Sequence, residues 1–297
     1  EEGDSQILTK DNLRRFEKMV TASLFKEHFE NADPSIRERL IVQYRMHPQI
    51  MKIVNNFYEG QLECGNPEKS REHGLHIKGK NNVLLSKKDH VLWIDTSRDL
   101  KDKTYTESEE RTNQLEARLI ANTLVKINEQ SRNSGFNQKN KQKVGVVSFY
   151  ASQCRVIREE ISKVNGGKIQ FDAIHVEINT VIRYQGKEKP ILLISLVRND
   201  GGPKNKRRSA RANVARYEFI NVAMSRAQNL LVVFGARNML EQRDVFLPNM
   251  DTSGKKKVQV YRKIFSDLDR AARIFPASEM LVQEVKKSSN AKKRGRR

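Results

Sequence analysis

Two arginine-bearing segments of the chain have the residue types and the spacing to bind a nucleotide. Residues 43–48 read Gln-Tyr-Arg-Met-His-Pro, and Arg45 follows a short apolar run there. Residues 221–227 read Asn-Val-Ala-Met-Ser-Arg-Ala, and Arg226 precedes a second apolar run. A guanidinium group binds phosphate through paired hydrogen bonds, so two arginines at strand ends of one sheet indicate a polyanion such as a triphosphate.

The spacing of apolar residues predicts the elements that must position these arginines. Strands are predicted at residues 40–42, 91–94, 144–147, 174–178, 191–194 and 230–234, the last being the final strand. Helices are predicted at residues 11–29, 48–57, 152–163 and 258–274, and Thr106 with Glu109 resembles a capping box that opens another long helix. Because strands alternate with helices, we predict an α/β fold with a mostly parallel sheet sandwiched by helices. Ligands of such sheets bind at the strand-to-helix turns.

The composition restricts the class of partner. Lys and Arg number 56 against 36 Asp and Glu, which gives a net charge of +20 over 297 residues. A nucleic acid is the first inference from this charge, and solubility alone is the alternative. Cys64 and Cys154 are too few for a disulfide framework, so we expect a reducing compartment, the cytoplasm, with the nucleus as an alternative suggested by the basic end. No signal peptide or membrane-spanning run is recognised, and because the chain begins at Glu1 we expect it to be a piece of a longer protein.

Four segments, in order, resemble motifs of superfamily 1 helicases of the nonsense-decay-factor-like branch. Residues 43–48, with Asn-Phe-Tyr-Glu-Gly at 56–60, resemble motif IV and its following helix. Residues 144–153 resemble the segment where the family has Thr-Pro-Tyr and a later Gln, residues 185–189 (Gln-Gly-Lys-Glu-Lys) resemble motif V, and residues 221–227 resemble motif VI. The resemblance covers residues 40–238 and implies the second of two RecA-like domains, in a protein that hydrolyses ATP with Mg²⁺ and moves along single-stranded RNA or DNA.

The resemblance assigns roles residue by residue. Arg226 and Arg45 resemble the groups that stabilise charge on the γ-phosphate of ATP. The remaining implied nucleotide contacts are Tyr44, which would stack on adenine or ribose, and Gln43, Gln185, Gly186 and Glu188. The implied nucleic-acid contacts are Ser148 and Tyr150. The charge of the basic loop predicts further contacts from Lys204, Arg207 and Arg208, with a targeting signal or a solvated run as the alternatives.

The sequence departs from the family pattern at motif V and lacks a convincing phosphate-binding loop. Ile182 and Pro190 stand where the family carries acidic residues. Residues 74–81 have the glycine and lysine spacing of a P-loop, but Asn81 replaces the hydroxyl residue and neither a strand nor a helix flanks the pattern. We therefore expect ATP and Mg²⁺ to be held mainly by an upstream P-loop domain of the same protein, and the isolated chain to be inactive.

Other readings stay open at this point. The chain could be a nucleic-acid-binding module that lost its coupling to ATP hydrolysis, or a structural interaction domain whose arginines form salt bridges. Cys64, His73 and His76 lack the spacing of a zinc site, so we predict surface residues and no bound metal. The predicted organisation is a helical segment at 1–35, the RecA-like domain at 36–245, a C-terminal helix at 246–284 and a basic tail at 285–297.

Overall fold

A computed structural model describes residues 28, 31–67, 71–97, 107–108, 110–199, 213–249, 252 and 254–280. Four predictions lie wholly or mostly outside this set: the helix at 11–29, the capping pair Thr106 and Glu109, the basic residues Lys204, Arg207 and Arg208, and the tail at 285–297.

The described strands, in chain order, are β1 (Val42–Gln43), β2 (Glu63–Cys64), β3 (Ile77–Lys78), β4 (Val83–Leu85), β5 (Val91–Asp95), β6 (Gln142–Ser148), β7 (Ile174–Thr180), β8 (Lys189–Ser195), β9 (Ala227–Gly235), β10 (Val245–Pro248), β11 (Lys255–Val258) and β12 (Ile274–Pro276). The α-helices are α1 (Pro48–Val54), α2 (Gln114–Asn133), α3 (Ala151–Val164), α4 (Tyr217–Met224), α5 (Arg237–Leu240) and α6 (Val260–Arg270). Short 3₁₀ helices occur at Pro34–Ile36, Asn55–Phe57, Ile182–Tyr184, Asn213–Ala215 and Ala277–Glu279.

A six-stranded parallel sheet in the order β12-β5-β9-β8-β6-β7 forms the centre of the fold. Its inner strands are apolar on both faces, as in the fully buried run from Ile191 to Ile194, because helices cover both sides. Helices α2 and α3 pack on one face, and α1, α4 and α6 pack on the other. The predicted α/β fold with a parallel sheet sandwiched by helices is confirmed.

The run at residues 40–42 does not form a strand of this sheet, so that prediction is wrong. β1 starts only at Val42 and pairs with β2 in a separate two-stranded sheet, while Leu40 is 90% exposed. An apolar run predicts an extended segment, but it does not determine which strand that segment pairs with. The helix that follows is confirmed, with Pro48 in its first turn, where a missing N–H costs nothing.

Helix α2 begins at Gln114, eight residues after Thr106, the residue that was expected to cap it. Asn113 is its N-cap and accepts a hydrogen bond from the Glu116 amide at 3.0 Å. The described residues between Glu107 and Asn113 are not helical. The predicted helix start is therefore wrong, because an asparagine nearer the apolar repeat caps the helix instead.

The chain does not end its sheet at β9, so the prediction of a final strand there is also wrong. β10 and β11 form an antiparallel hairpin, and α6 occupies Val260–Arg270 instead of the whole predicted stretch. β12 then returns to the sheet and pairs with β5. The segment at 246–284 thus contributes an edge strand and not only a helix.

Candidate functional site

The predicted nucleotide contacts gather at the amino end of the central sheet. Glu188 and Arg226 directly precede β8 and β9, and the Lys189 amide donates a 3.0 Å hydrogen bond to the Arg226 carbonyl. Arg45 reaches the same place because the His47 amide donates to the Gln228 carbonyl at 2.8 Å. We expected Arg45 at a strand-to-helix turn of the main sheet. That expectation is wrong, since β1 lies outside the sheet.

Arg45 makes a specific set of contacts there. Its Nε lies 2.5 Å from Glu188 Oε2, and its Nη1 donates to the Ser225 carbonyl at 3.2 Å. The other Glu188 oxygen accepts a hydrogen bond from Gln228 Nε2 at 2.7 Å. The pair is more than a third exposed, with side-chain exposures of 36% and 45%. Solvent screens such a pair, so a phosphate can compete for Arg45.

Arg226 belongs to the same cluster of charges. Partial burial lowers the pKa of its guanidinium, the neighbouring cation Arg45 lowers it further, and Glu188 opposes both effects. Its Nε is buried and has no hydrogen-bond partner among the described residues. Glu188 is thus paired with Arg45 and is close enough to Arg226 to influence its pKa. This arrangement leaves net positive charge and an unused donor, which suits a phosphate oxygen.

Tyr44 presents an exposed aromatic ring beside Arg45. The side chain is 67% exposed, so it is not part of the core. The ring lies against Gly65, where an added Cβ would come within 2.3 Å of a ring carbon. Only glycine allows this close approach, and the exposed ring can stack on a base or ribose.

Gln43 and Arg71 shape the turn that carries Tyr44 and Arg45. The Gln43 side chain donates through Nε2 to the Met46 carbonyl at 3.1 Å, and its Oε1 accepts a hydrogen bond from the backbone amide of Met46 at 2.7 Å. Arg71 is buried, donates to the Tyr44 carbonyl at 2.9 Å and also donates to the Met46 carbonyl. Arg71 could not be predicted from the sequence, because a single arginine in a polar stretch carries no pattern.

Three histidines pack together beneath this turn. His47 stacks on His90 with ring centroids 3.3 Å apart, and His73 meets His90 edge to face at 5.1 Å. Burial, together with the nearby cationic groups, lowers the pKa values of His47 and His73 to about 4. His73 is only 8% exposed, so the prediction that it is a surface residue is wrong. Among the described residues, no group of side chains is arranged to hold a metal ion.

The remaining motif V residues form an exposed turn at this edge. Gly186 has a φ of +80°, which favours glycine. Gln185 and Glu188 are exposed, and Ile182 is 64% exposed where the family has an acid. Lys187 and Lys189 both pair with Glu177. Burial of Glu177 opposes ionisation, but these two lysines outweigh it and lower the pKa of Glu177 to about 2.

The predicted nucleic-acid contacts that can be located lie at the opposite, carboxyl end of the sheet. Ser148 ends β6, and Tyr150 is the N-cap of α3. Both side chains are buried, and neither hydroxyl has a hydrogen-bond partner among the described residues. The two sets of predicted contacts are thus separated by the length of the strands.

The P-loop-like pattern forms a different structure. β3 and β4 are an antiparallel hairpin, and the Gly79 amide donates to the Asn82 carbonyl at 2.7 Å across its turn. Glu279 accepts hydrogen bonds from the amides of Asn81 and Asn82 at 2.9 and 3.3 Å. A carboxylate therefore occupies the amides that a phosphate would need.

Comparison with known proteins places the chain among helicases. A family model described as an AAA domain (AAA_12) matches residues 20–238. Helicase SEN1 of Saccharomyces cerevisiae is 29% identical over 225 residues, which cover 73% of this chain and 9% of that protein. The DNA replication ATP-dependent helicase/nuclease DNA2 of Homo sapiens is 27% identical over 253 residues, covering 78% and 22% of the two proteins. Its counterpart dna2 of Schizosaccharomyces pombe is 28% identical over 250 residues, covering 79% and 16%.

The chain spans less than a quarter of the length of each of these three relatives. Within the part of the chain that the structure describes, no helix has the length and apolar character needed to cross a membrane.

Proposed function

This chain belongs to the superfamily 1 helicases of the DNA2/NAM7-type branch, and from that premise we propose that it is the C-terminal RecA-like half of an ATP-dependent helicase or translocase. In this proposal the domain begins near residue 36 and extends to Met280, because β12 completes the sheet at its edge. A P-loop domain of the same protein supplies the phosphate cradle. The substrate is single-stranded RNA or DNA, and the protein works in the cytoplasm or the nucleus.

The cluster of Arg45, Glu188 and Arg226 supports this proposal most strongly. Two arginines from distant segments meet at one edge of the sheet, next to the exposed ring of Tyr44. When ATP binds at the domain interface, Arg45 exchanges Glu188 for a γ-phosphate oxygen, and Arg226 directs its donors at the same group. Arginines placed this way stabilise the charge that develops during phosphoryl transfer, and this raises the rate of hydrolysis by a factor on the order of 10³ or more.

The residues present fit ATP, and they leave Mg²⁺ to the P-loop domain. Tyr44 stacks on the adenine or ribose, Gln185 and Gly186 lie at the same edge to contact the nucleotide, and Glu188 is coupled to the nucleotide because it releases Arg45. The described residues offer no carboxylate cluster for a metal ion. Mg²⁺, when bound by the other domain, neutralises charge on the β- and γ-phosphates.

Movement along nucleic acid follows from the two ends of the sheet acting together. ATP draws the domains together through the amino end, while the carboxyl end, where β6 ends at Ser148 and α3 begins after Tyr150, grips the strand. Lys204, Arg207 and Arg208, which lie outside the described residues, are proposed as further contacts to the strand. Because the closed and open forms grip the strand differently, each cycle of hydrolysis advances the protein.

The second candidate is a nucleic-acid-binding module that has lost its coupling to ATP hydrolysis. Ile182 and Pro190 favour it, because both replace acidic residues of motif V. ATP turnover of the protein with both RecA-like domains, with and without single-stranded RNA or DNA, distinguishes the two. The proposed function predicts turnover that single strands stimulate and that this chain alone lacks. Binding without stimulated turnover would support the second candidate and overturn the first.

A further inference from the structure

Arg111 is an exposed arginine at the carboxyl end of the sheet that no motif includes. It lies just before α2, and its guanidinium carbon is 5.5 Å from the centre of the Tyr150 ring. It makes no ion pair with any of the described residues. Its φ is +59°, a left-handed backbone conformation that non-glycine residues seldom adopt.

The first turn of α3 holds the segment that carries Arg111. Ser152 Oγ donates to the carbonyls of Glu110 and Arg111 at 3.0 and 3.4 Å. Gln153 bonds both backbone groups of Asn113, accepting from its amide at 2.8 Å and donating to its carbonyl at 3.0 Å. The unusual backbone of Arg111 is therefore fixed by α3, which starts directly after Tyr150.

Glu116 connects this segment to the neighbouring strand β8. Its side chain is fully buried, and its Oε2 accepts hydrogen bonds from Ser195 Oγ at 2.6 Å and from the Val197 amide at 2.8 Å. Gln153 Nε2 donates to Ser195 Oγ at 3.0 Å, which closes the network. Among the described residues no cation pairs with Glu116, and burial, the largest influence, raises its pKa to about 7.

The same network holds a second strained residue. Val197 has a φ of +68°, an outlier for a β-branched side chain, and its carbonyl accepts a hydrogen bond from Asn113 Nδ2 at 3.1 Å. A residue in this region is strained, and a buried acid without a cation is a second destabilising feature of the network. Costs of this kind concentrate where a protein must hold a ligand-binding group in place.

We propose that Arg111 contacts a phosphate of the bound single strand, and that Glu116 is the positioning residue that fixes the segment carrying Arg111. The proposal rests on the proposed function, because it assumes that the strand crosses the carboxyl end of the sheet. The net charge of +20 favours a polyanion as the ligand. An exposed arginine held above the Tyr150 ring at this end of the sheet can donate to a backbone phosphate, the kind of cationic contact that proteins make to single strands.

The direct test measures binding of fluorescein-labelled oligouridine and oligodeoxythymidine to the two-domain protein over a range of salt concentrations. Arg111→Gln should weaken binding roughly tenfold, as expected for a charged hydrogen bond, and should lower the salt slope by about one. Arg132→Gln is the control for charge, because it removes the same charge from the far end of α2, where Arg132 pairs with Asp172. Equal effects of the two substitutions would show that Arg111 contributes only general charge, and would overturn the proposal.

Glu116→Gln tests the positioning role, because the proposal and general electrostatics predict opposite changes in strand affinity for it. At about pH 8, above the pKa of Glu116, this change removes a negative charge, so general electrostatics predicts tighter binding. The proposal predicts weaker binding and a smaller salt slope. Glu160→Gln, a second buried acid that accepts from Gln114 at 2.5 Å, is the control for loss of a buried carboxylate.

A double variant decides whether Glu116 acts through Arg111. If it does, Arg111→Gln with Glu116→Gln binds no more weakly than Arg111→Gln alone. Additive losses, or normal binding by Glu116→Gln, would contradict the positioning role. If the unmodified protein binds neither strand, the proposed function fails and this inference fails with it, whereas normal strand binding by Arg111→Gln overturns this inference alone. Thermal unfolding of each variant verifies that it is folded, and Arg111→Gln alters only an exposed side chain.

Discussion

In the proposed mechanism, Glu188 competes with the phosphate for Arg45 at the amino end of the sheet. Its two oxygens bind Arg45 at 2.5 Å and Gln228 at 2.7 Å, so Arg45 has a carboxylate partner before any phosphate arrives. Both side chains of the ion pair are more than a third exposed. The pair is therefore weak enough to be exchanged when ATP binds.

Glu188→Gln should tighten the binding of a non-hydrolysable ATP analogue. Glutamine keeps the hydrogen bond to Gln228 but no longer holds the Arg45 charge, so the gain should be about two- to fivefold, the range for an exposed ion pair. Titration of the two-domain protein measures it. Glu241→Gln, which removes an acid paired with Arg237 at the other end of the sheet, should leave the affinity unchanged. Weaker binding by Glu188→Gln would mean that the carboxylate itself attracts the nucleotide.

The histidine cluster gives a prediction about pH. His47 and His73 have pKa values of about 4 in the folded protein, against an ordinary 6.5. Below about pH 6.5 the unfolded chain therefore binds protons that the folded chain does not bind. The free energy of unfolding should fall as pH drops from 6.5 towards 4, and these groups should have no effect above that window.

Urea unfolding at about pH 7 and about pH 5 measures this loss. His73→Gln should show a smaller loss than the unmodified protein, because one of the depressed groups is gone. His175→Gln, which changes an exposed histidine, serves as the control. An identical loss in all three proteins would show that the cluster does not titrate as described.

Among the elements, those with long apolar runs could be predicted from sequence. β5, β6, β8 and β9 combine several β-branched or aliphatic residues with turn residues at their ends, and they lie where expected. β12 contains only Ile274, Phe275 and Pro276, so it carries no periodic signal and was missed. The run at 40–42 gives an apolar signal for a strand of the main sheet, but its side chains are exposed to solvent in the described structure.

The site could be predicted only in part. Motif spacing brought forward Arg45 and Arg226, which the structure places at one edge. Arg71, Arg111 and Glu116 could not be found, because their roles depend on hydrogen bonds to backbone groups far along the chain. Such contacts leave no pattern in local sequence.

β12 makes the C-terminal segment necessary for stability. It pairs with β5, the Trp93 amide donates to the Arg273 carbonyl at 2.9 Å, and Ala277 and Met280 are buried in the core. Truncation after Arg270 should lower the melting temperature by about 5–10 °C, from lost apolar burial in a chain of this size. It should also promote aggregation through the freed edge of β5.

Truncation after Met280 is the matched control, because it keeps β12 and the buried residues that follow it. Differential scanning calorimetry of both truncated proteins should show a large decrease in melting temperature for the shorter one only. Equal melting temperatures would mean that β12 adds little to the stability of the sheet.

At the scale of the molecule, the central sheet separates the two sets of proposed contacts by the length of its strands. Arg45, Glu188 and Arg226 lie at the amino end, while Ser148 and Tyr150 lie at the carboxyl end. β8 connects both ends directly, from Lys189 beside Glu188 to Ser195, which donates to Glu116. Under the proposed function, one strand therefore links the edge that contacts the nucleotide to the edge that contacts the nucleic acid.

The central claim is that Arg45 and Arg226 act on the γ-phosphate during hydrolysis. Its most direct test is the maximal ATP turnover of the two-domain protein with saturating single strands, measured for Arg226→Ala and Arg45→Ala. Each substitution should lower turnover by about 10² or more while nucleic-acid affinity stays nearly unchanged, because a transition-state contact affects mainly kcat. Near-normal stimulated turnover in both variants would contradict the account.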